Sequence, residues 1–225
     1  ENMEGLTELT FMGTHTFTDS GIKSVAIPDK VVHFGISVGM PATHKEQNFI
    51  FNNCPNLESV VLPSGVQTIG GNMFNDTPNL KYVTYRGYDG PAKVILPNTV
   101  TVLGSAFYKS GIEEADLSQI AVDAMDADYG VFQFCDKLAT VKLNEGISFI
   151  PSLMFIKCAS LKEFDLSKYP LITSIRPGSF NGTGIENMIL PEGITHIEKE
   201  GFAYSALKRI TIPSTLTSIG PAAFA

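Results

Sequence analysis

The sequence has no tryptophan, only three cysteines and four histidines, and fewer basic than acidic residues. The 16 Lys and Arg against 23 Asp and Glu give a net charge of -7, which argues against nucleic acid and anionic lipid as partners. No apolar run reaches the ~18 residues of a membrane helix. The opening Glu1-Asn2-Met3-Glu4 lacks the basic and apolar segments of a signal peptide. With 44% hydrophobic and 17% charged residues, the chain has the composition of a globular protein.

The familiar motifs of catalysis and cofactor binding are also missing. There is no His-Glu-x-x-His, Gly-x-Ser-x-Gly or Cys-x-x-Cys sequence and no phosphate-binding glycine loop. We therefore predict a protein without enzymatic activity and without a bound cofactor or zinc centre.

What the chain does contain is a repeat marked by phenylalanine. The predicted markers are Phe51, Phe74, Phe107, Phe134, Phe155, Phe180, Phe202 and Phe224. Clean units span 22–23 residues, a period typical of solenoids. A single unit of this length cannot bury its apolar face alone, so stacked neighbours must form the core.

The clearest unit reads Leu57-x-x-Val60-x-Leu62-Pro63-x-x-Val66-x-x-Ile69-Gly70 and ends at Phe74, and it recurs from Ile185 and from Leu207. The alternation in Leu57–Leu62 predicts a short strand with Val60 and Leu62 inward and Ser59 and Val61 outward. Pro63 suits the end of a strand. A second extended piece and a short helical turn then bring Phe74 into the core.

These elements resemble the BspA-like leucine-rich repeats of bacterial and some protist surface proteins. Leu-x-x-Val-x-Leu-Pro, Val-x-x-Ile-Gly and the terminal Ala-Phe carry the likeness, which covers roughly residues 17–225. The resemblance implies a right-handed, curved leucine-rich-repeat solenoid of short strands and short helical or 3₁₀ turns, with about 8–9 repeats of roughly 23 residues. It also implies a secreted or cell-surface protein used in adhesion or partner binding, and it transfers no catalytic residue.

We predict one domain over residues 1–225, with a degenerate first repeat at 6–17. Longer intervals between markers place insertions near 36–47, 86–93 and 122–130. Insertions in solenoids become loops on one face and often carry the contacts of an individual protein. The alternative is that these loops vary freely, since long surface loops cost little stability.

Two groups are candidates for ligand binding. Tyr82, Tyr85, Arg86 and Tyr88 combine residue types that are favoured at interfaces, and tyrosines also suit sugars. Tyr85 has an alternative role as the inward residue that corresponds to Leu62. The acidic run from Glu113 to Asp128 includes Glu114 and Asp116 on the predicted outer strand face and suits a basic partner or plain solvation.

Within the acidic run, Asp123, Asp126 and Asp128 could supply oxygen ligands to Ca²⁺. The spacing does not match an EF-hand, and no acidic calcium-binding repeat is present. The alternatives of a calcium site and a solvated acidic loop both remain open.

Cysteines and glycosylation sequons fall at equivalent places in the repeat. Cys54, Cys135 and Cys158 each precede a strand-opening Leu by three residues, which predicts small buried corner residues rather than a disulfide. Asn75-Asp76-Thr77 and Asn181-Gly182-Thr183 are sequons. Since each asparagine follows a marker Phe, where a left-handed residue is favoured, we assign both to capping.

The predicted strands present two outward columns. The first holds Ser59, Tyr82, Glu114, Thr140, Glu163, Asn187 and Arg209, and the second holds Val61, Thr84, Asp116, Lys142, Asp165, Ile189 and Thr211. We predict that they bind an extracellular protein. The alternatives are a glycan-binding module and a passive spacer that presents another domain. Because Phe224-Ala225 stops within a unit without a polar cap, we also expect weak self-association through this end.

Overall fold

The computed structural model describes residues 3, 5–31, 33–35, 48–125 and 130–225. The predicted insertion near 36–47 lies outside these residues, as does the middle of the insertion near 122–130. The chain is a β-solenoid built almost entirely from very short parallel strands joined by hydrogen-bonded turns. Its repetitive architecture confirms the predicted solenoid.

The strands are three or four residues long on one side of each coil and mostly two on the other. They are β1 Phe11–Gly13, β2 Ser24–Ala26, β3 His33–Gly35, β4 Ser59–Leu62, β5 Thr68–Ile69, β6 Tyr82–Tyr85, β7 Val102–Leu103, β8 Glu114–Asp116, β9 Thr140–Lys142, β10 Phe149–Ile150, β11 Ser174–Ile175, β12 Asn187–Ile189, β13 His196–Ile197, β14 Arg209–Thr211 and β15 Ser218–Ile219. The single helical element in the described residues is a 3₁₀ helix at Leu166–Lys168.

Two series of parallel ladders run along the molecule. We call the first the binding-face sheet; it contains β2-β4-β6, β8-β9 and β12-β14. The second contains β1-β3, β5-β7 and β10-β11-β13-β15. Every paired strand is parallel to its neighbour, as expected when each coil repeats the path of the one before.

The register confirms the direction of the side chains in the clearest unit of the repeat. Val60 pairs with Val83, and Ser59 pairs with Tyr82. Leu57, Val60 and Leu62 are completely buried, whereas Ser59 and Val61 are only half-buried. The alternation therefore separates an apolar interior from an outer face, and the predicted outward columns exist where these ladders are formed.

Stacked phenylalanines form the spine of the core. The rings of Phe17, Phe51, Phe74, Phe107, Phe132, Phe155, Phe180, Phe202 and Phe224 stack in order, with centroids 5.1–6.1 Å apart. All except Phe17 and Phe224, the first and last rings, are fully or almost fully buried. Burial of such a ring contributes about 1.5–3 kcal/mol to folding by removing apolar surface from water.

The choice of Phe134 as a marker was wrong. Phe134 is 38% exposed, and Phe132, two residues earlier, occupies the stack between Phe107 and Phe155. The interval from Phe107 to the next stacked ring is thus 25 residues rather than 27. The sequence Phe132-Gln133-Phe134 offered two aromatic candidates, and the repeat spacing alone did not distinguish them.

The turns around the stack differ from the predicted helical turns. They are tight hydrogen-bonded turns with a left-handed residue two positions after the stacked ring. In most coils another lies two positions before it, as Leu153 (φ 56°) and Lys157 (φ 61°) do around Phe155. The left-handed residues after Phe74 and Phe180 are therefore Asp76 and Gly182. Asn75 and Asn181, the predicted capping residues, are not left-handed.

Candidate functional site

The predicted tyrosine group is divided between two environments. Tyr82 lies on the outer face of β6 with 46% of its surface exposed. Tyr85 pairs in register with Leu62 and packs against the core, as the alternative interpretation required. Its ring lies 5.5 Å from that of Tyr88. The rings of Tyr85 and Tyr88 are therefore in contact, whereas the ring of Tyr82 contacts neither of them.

Arg86 is engaged within the molecule. Its Nε atom donates a hydrogen bond to the carbonyl of Ile27 at 3.1 Å and lies 3.5 Å from a carboxylate oxygen of Asp29. These contacts reach back over β4 to the end of β2. Arg86 therefore anchors the start of the 86–93 insertion, which reduces its availability for a ligand.

The 86–93 insertion returns to the sheet and adds a short strand to it. Val94 bridges to Val83, and Ile95 bridges to Asp116. Lys93–Ile95 thus separates β6 from β8, whereas the sequence pattern predicts Tyr82 and Glu114 in consecutive coils of one column. Ile95 belongs to the outer row but is only 3% exposed.

A groove of about 570 Å³ opens beside this extra strand on the outer face of the binding-face sheet. Ile95 and Ala115 form its apolar floor, while Tyr88, Glu114, Asp116 and Lys142 line its sides. The hydroxyl of Tyr88 accepts a hydrogen bond from the backbone N–H of Ala92 at 2.9 Å, which fixes the ring within the loop. Three of the six predicted site residues therefore meet at one groove.

The carboxylates at the groove are compensated unequally. Lys142 Nζ lies 3.3 Å from Asp116, and Ser118 donates to Asp116 from both its backbone N–H and its hydroxyl. Burial alone would raise the pKa of Asp116, but these hydrogen bonds and Lys142 lower it below its ordinary value. Asp116 is therefore ionised at neutral pH and already paired.

The negative charge of Glu114 is balanced by fewer contacts than that of Asp116. It accepts a backbone hydrogen bond from Lys93 at 3.3 Å, whereas the ammonium of Lys93 lies 3.2 Å from Glu113. The hydrogen bond to Glu113 raises the pKa of Lys93 above its ordinary value. Because Lys93 is directed to Glu113, the groove keeps a negative charge on Glu114 that a cationic group of a partner could meet.

A second groove of about 540 Å³ lies further along the same face. Its lining includes Glu163, Asp165, Asn187 and Ile189. Ile189 is 71% exposed, the largest exposure among the exposed apolar side chains of the described residues. These residues belong to the predicted outward columns, but the groove between them was not predicted from the sequence. It forms where residues 161–165 run beside β12 without forming a strand, and the 3₁₀ helix that follows replaces the usual proline turn.

The proposed calcium ligands are only partly described. Asp126 and Asp128 lie outside the described residues, and Asp123 is in the loop between β8 and β9. Among the residues that the structure describes, no three His, Cys, Asp or Glu side chains are grouped closely enough to hold a metal ion. The calcium hypothesis stays a prediction.

The cysteines occupy the buried corner slot that the sequence predicted. Cys54, Cys135 and Cys158 are free thiols with no exposed surface. Each Sγ donates to the carbonyl oxygen of a stacked phenylalanine in the preceding coil, at 2.8–3.1 Å. The spacing therefore identified a structural position, and these thiols are not exposed as a chemical site.

Both sequons are built into the turns. The Thr77 and Thr183 hydroxyls donate to the carbonyls of Phe74 and Phe180 at 2.7 and 2.9 Å, and both threonines are buried. Asn181 is only 5% exposed. These contacts give the sequon residues a structural role in the folded chain.

The repeated coils, parallel ladders and continuous ring stack define a leucine-rich-repeat β-solenoid. The family model of the BspA type leucine rich repeat region matches in six copies, over residues 1–88, 47–175 and 105–225. The chain belongs to this family. No curated protein matches the sequence.

Two solved structures are similar in fold. A leucine-rich repeat protein from Bacteroides ovatus ATCC 8483 aligns with 90% of this chain and 52% of its own, at 21% identity and a TM-score of 0.59. A leucine-rich repeat protein from Eubacterium ventriosum ATCC 27560 aligns with 89% of this chain and 50% of its own, at 19% identity and a TM-score of 0.51. The chain thus spans about half the length of these proteins. Among the described residues, no helix has the length and apolar character needed to cross a membrane.

Proposed function

We propose that this chain is a non-catalytic binding module of a secreted or cell-surface protein and that it recognises an extracellular protein through the binding-face sheet. The observation that supports this most directly is the groove at Tyr88, Glu114 and Asp116, which combines an apolar floor with polar walls. Binding sites commonly have this combination, since apolar contact supplies affinity and a few polar groups supply orientation.

The partner segment that fits best carries a Lys or Arg side chain. Its aliphatic stem would cover Ile95 and Ala115, and its charged end would meet Glu114, whose carboxylate forms no ion pair within 4 Å among the described residues. Asp116 is already paired with Lys142, so its main effect is to hold that lysine in place at the groove wall.

The test is binding of the purified chain to immobilised extracellular-matrix proteins, measured by biolayer interferometry with Glu114→Gln and Tyr88→Ala variants. We expect each variant to weaken binding about 10-fold or more, because removal of one central contact typically costs at least 1.4 kcal/mol. Glu58→Gln is the matched control, since Glu58 is an exposed carboxylate outside the groove. Unchanged binding in both groove variants would contradict the proposal.

A glycan is the alternative ligand on this face, supported by the exposure of Tyr82 and the contact between the Tyr85 and Tyr88 rings. It predicts hits on a glycan array that disappear when Tyr82, Tyr85 and Tyr88 are replaced by Ala. Binding to matrix proteins that survives glycosidase treatment favours the protein ligand. A passive spacer would bind in neither experiment.

A further inference from the structure

The turns beside the ring stack form a second surface, away from the grooves. We call the residues two positions after each stacked ring the turn edge. They are Asp19, Asn53, Asp76, Lys109, Phe134, Lys157, Gly182 and Tyr204. All eight are left-handed, with φ between 51° and 69°. The turn edge is therefore one column in which the backbone conformation is constant and only the side chain varies.

Residue choice along the turn edge changes at Lys109, with Gly182 as the one later residue of the earlier kind. Asp, Asn and Gly tolerate the left-handed conformation, and they occupy positions 19, 53, 76 and 182. Phe134 and Tyr204 are bulky aromatic residues for which this conformation is unfavourable, yet they are 38% and 70% exposed. Exposed aromatic side chains on one edge of the solenoid are candidates for contact with a ligand.

The side chains of this region are arranged in contact with each other. The ring of Tyr108 lies 5.3 Å from that of Phe134, and Lys109 Nζ lies 5.5 Å from the Tyr108 ring. Lys157 Nζ lies 5.5 Å from the ring of Tyr204. A Cβ added at Gly182 would lie 2.7 Å from Lys157 Cδ. The aliphatic part of Lys157 therefore passes over Gly182, the turn-edge residue between Lys157 and Tyr204. Aromatic and cationic groups therefore alternate along the edge.

The turn edge from Lys109 to Tyr204 carries two lysines and no acidic residue, although the whole chain has a net charge of -7. Lys109 has only a 3.8 Å contact with Asp76. Lys157 takes part in none of the ion pairs found in the described part of the chain. A ligand that brings carboxylates or sulfates to this edge would thus find a cation that is not already neutralised.

A peptide strand is a poor fit because the backbone here is already paired. The N–H groups of Lys109, Phe134 and Lys157 each donate to a carbonyl of the next coil, at 2.7–2.9 Å. No main-chain ladder is left for an added strand, which is the usual source of affinity for extended peptides. The groups that remain available to a ligand are the exposed side chains of Phe134 and Tyr204 and the ammonium of Lys157.

We propose that the turn edge from Tyr108 to Tyr204 binds an acidic polysaccharide. The apolar face of a sugar ring would stack on Phe134 and Tyr204, and a carboxylate or sulfate would meet Lys157 between them. Phe134 and Tyr204 are three coils apart, which at the ~4.8 Å spacing of strands is about 14 Å. The ligand would therefore run along the solenoid axis and contact the edge with several consecutive sugar units. The proposal is independent of the groove on the binding-face sheet.

The left-handed conformation makes a sharp test possible, because Gly is favoured at these positions. The double variant Phe134→Gly/Tyr204→Gly should keep or raise the melting temperature. We expect it to weaken binding of oligogalacturonate at least 10-fold in isothermal titration calorimetry. Lys157→Gln should weaken binding and reduce its dependence on salt. Asn53→Gly is the matched control at an equivalent position and should bind like the parent chain.

Any of four results would overturn the proposal. The first is no binding of oligogalacturonate or of a sulfated oligosaccharide by the parent chain. The second is equal binding of a neutral oligosaccharide such as maltohexaose, which would remove the role of Lys157. The third is equal binding of polyglutamate, which would mean that the edge recognises negative charge rather than sugar. Loss of binding in the groove variant Glu114→Gln but not in the edge variants would place the glycan at the groove instead.

Discussion

At the scale of single residues, the position three after each stacked ring shows how the repeat selects a chemical property rather than one amino acid. This position holds Ser20, Cys54, Thr77, Ser110, Cys135, Cys158, Thr183 and Ser205. Thr77, Thr183 and Ser205 donate to the ring residue of their own coil. The three thiols donate to the coil before. A small donor is therefore the shared property of this position. Its side chain adds a second hydrogen bond to carbonyls such as that of Phe107, which also accepts the N–H of Ser110.

Burial should suppress the reactivity of the thiols. Burial raises the pKa of Cys135 to about 12 and that of Cys158 well above its ordinary value, so both are neutral thiols at pH 7. We expect a thiol reagent such as DTNB to label the native chain at these positions at least 100-fold more slowly than the urea-unfolded chain. Mass spectrometry of the labelled peptides identifies the sites, and rapid native labelling of Cys135 would be inconsistent with the structure.

Raised thiol pKa values also make stability depend on alkaline pH. Cys135 titrates near 9.0 when unperturbed and at about 12 when folded, so the unfolded chain loses this proton first as pH rises. The free energy of unfolding should therefore fall above about pH 9, by up to roughly 1.4 kcal/mol per pH unit for each such thiol. Urea denaturation from pH 7 to 10.5 measures this slope. Cys135→Ser, which keeps a donor, should make it shallower.

At the scale of the element, two features determine how closely successive coils approach. One is the ring stack, and the other is a set of corner glycines at which a Cβ would meet the backbone of a neighbouring coil, such as Gly111, Gly130 and Gly184. The stack requires a ring in the same place in every coil. The corners require that no side chain stands between two backbones. Both constraints arise only between coils and are absent from an isolated repeat.

Phe132 and Phe134 give a direct comparison of a core ring and a surface ring. Phe132→Ala should lower the free energy of unfolding by about 3–5 kcal/mol, because it leaves a cavity between Phe107 and Phe155. Phe134→Ala should cost less than about 1 kcal/mol, since that side chain is 38% exposed. Urea denaturation of both variants tests this. A larger effect at Phe134 would restore it as the repeat marker.

Gly184 should tolerate no side chain. A Cβ at this position would lie 2.2 Å from the carbonyl oxygen of Ala159 in the preceding coil, so the coils must separate. We expect Gly184→Ala to destabilise the chain by about 1–3 kcal/mol or more, as in overpacked cores. Gly5→Ala is the control, since nothing lies within 4 Å of a Cβ there. Similar melting temperatures for the two variants would contradict the close approach.

At the scale of the whole molecule, the last coil differs from the internal ones in exposure. Ile219 and Phe224 are 55% and 41% exposed, whereas Ile197 and Phe202, their counterparts one coil earlier, are each 1% exposed. Apolar surface of this kind favours contact with another apolar surface. Weak self-association through this coil stays a prediction.

Self-association through this coil is testable by analytical ultracentrifugation. We expect the parent chain to show a concentration-dependent rise in average mass that Ile219→Lys removes. Ile189→Lys is the control, because Ile189 is equally apolar and 71% exposed but lies on the binding-face sheet. If Ile189→Lys alone removes the association, the contact lies on that sheet instead.

Most of the fold could be predicted from the sequence, because the repeat directly encodes the length of each coil and the positions that face inward. Leu57, Val60 and Leu62 predict buried positions from their spacing alone. The choice between Phe132 and Phe134 depends on which ring meets Phe107 across the coil, and spacing does not contain that contact. The groove depends on the return of Val94–Ile95 to the sheet, where the repeat is interrupted. Tyr88, Glu114 and Asp116 could therefore be named but not placed together.

The small donors three positions after each stacked ring also bear on how the fold depends on the redox state of its surroundings. Cysteine, serine and threonine share this position as small hydrogen-bond donors, and no cysteine is committed to a crosslink among the described residues. The coils are thus held together by contacts that neither an oxidising nor a reducing compartment would alter. A substitution of cysteine by serine, or of serine by cysteine, at this position replaces one small donor with another. We expect it to keep the fold under oxidising and reducing conditions alike.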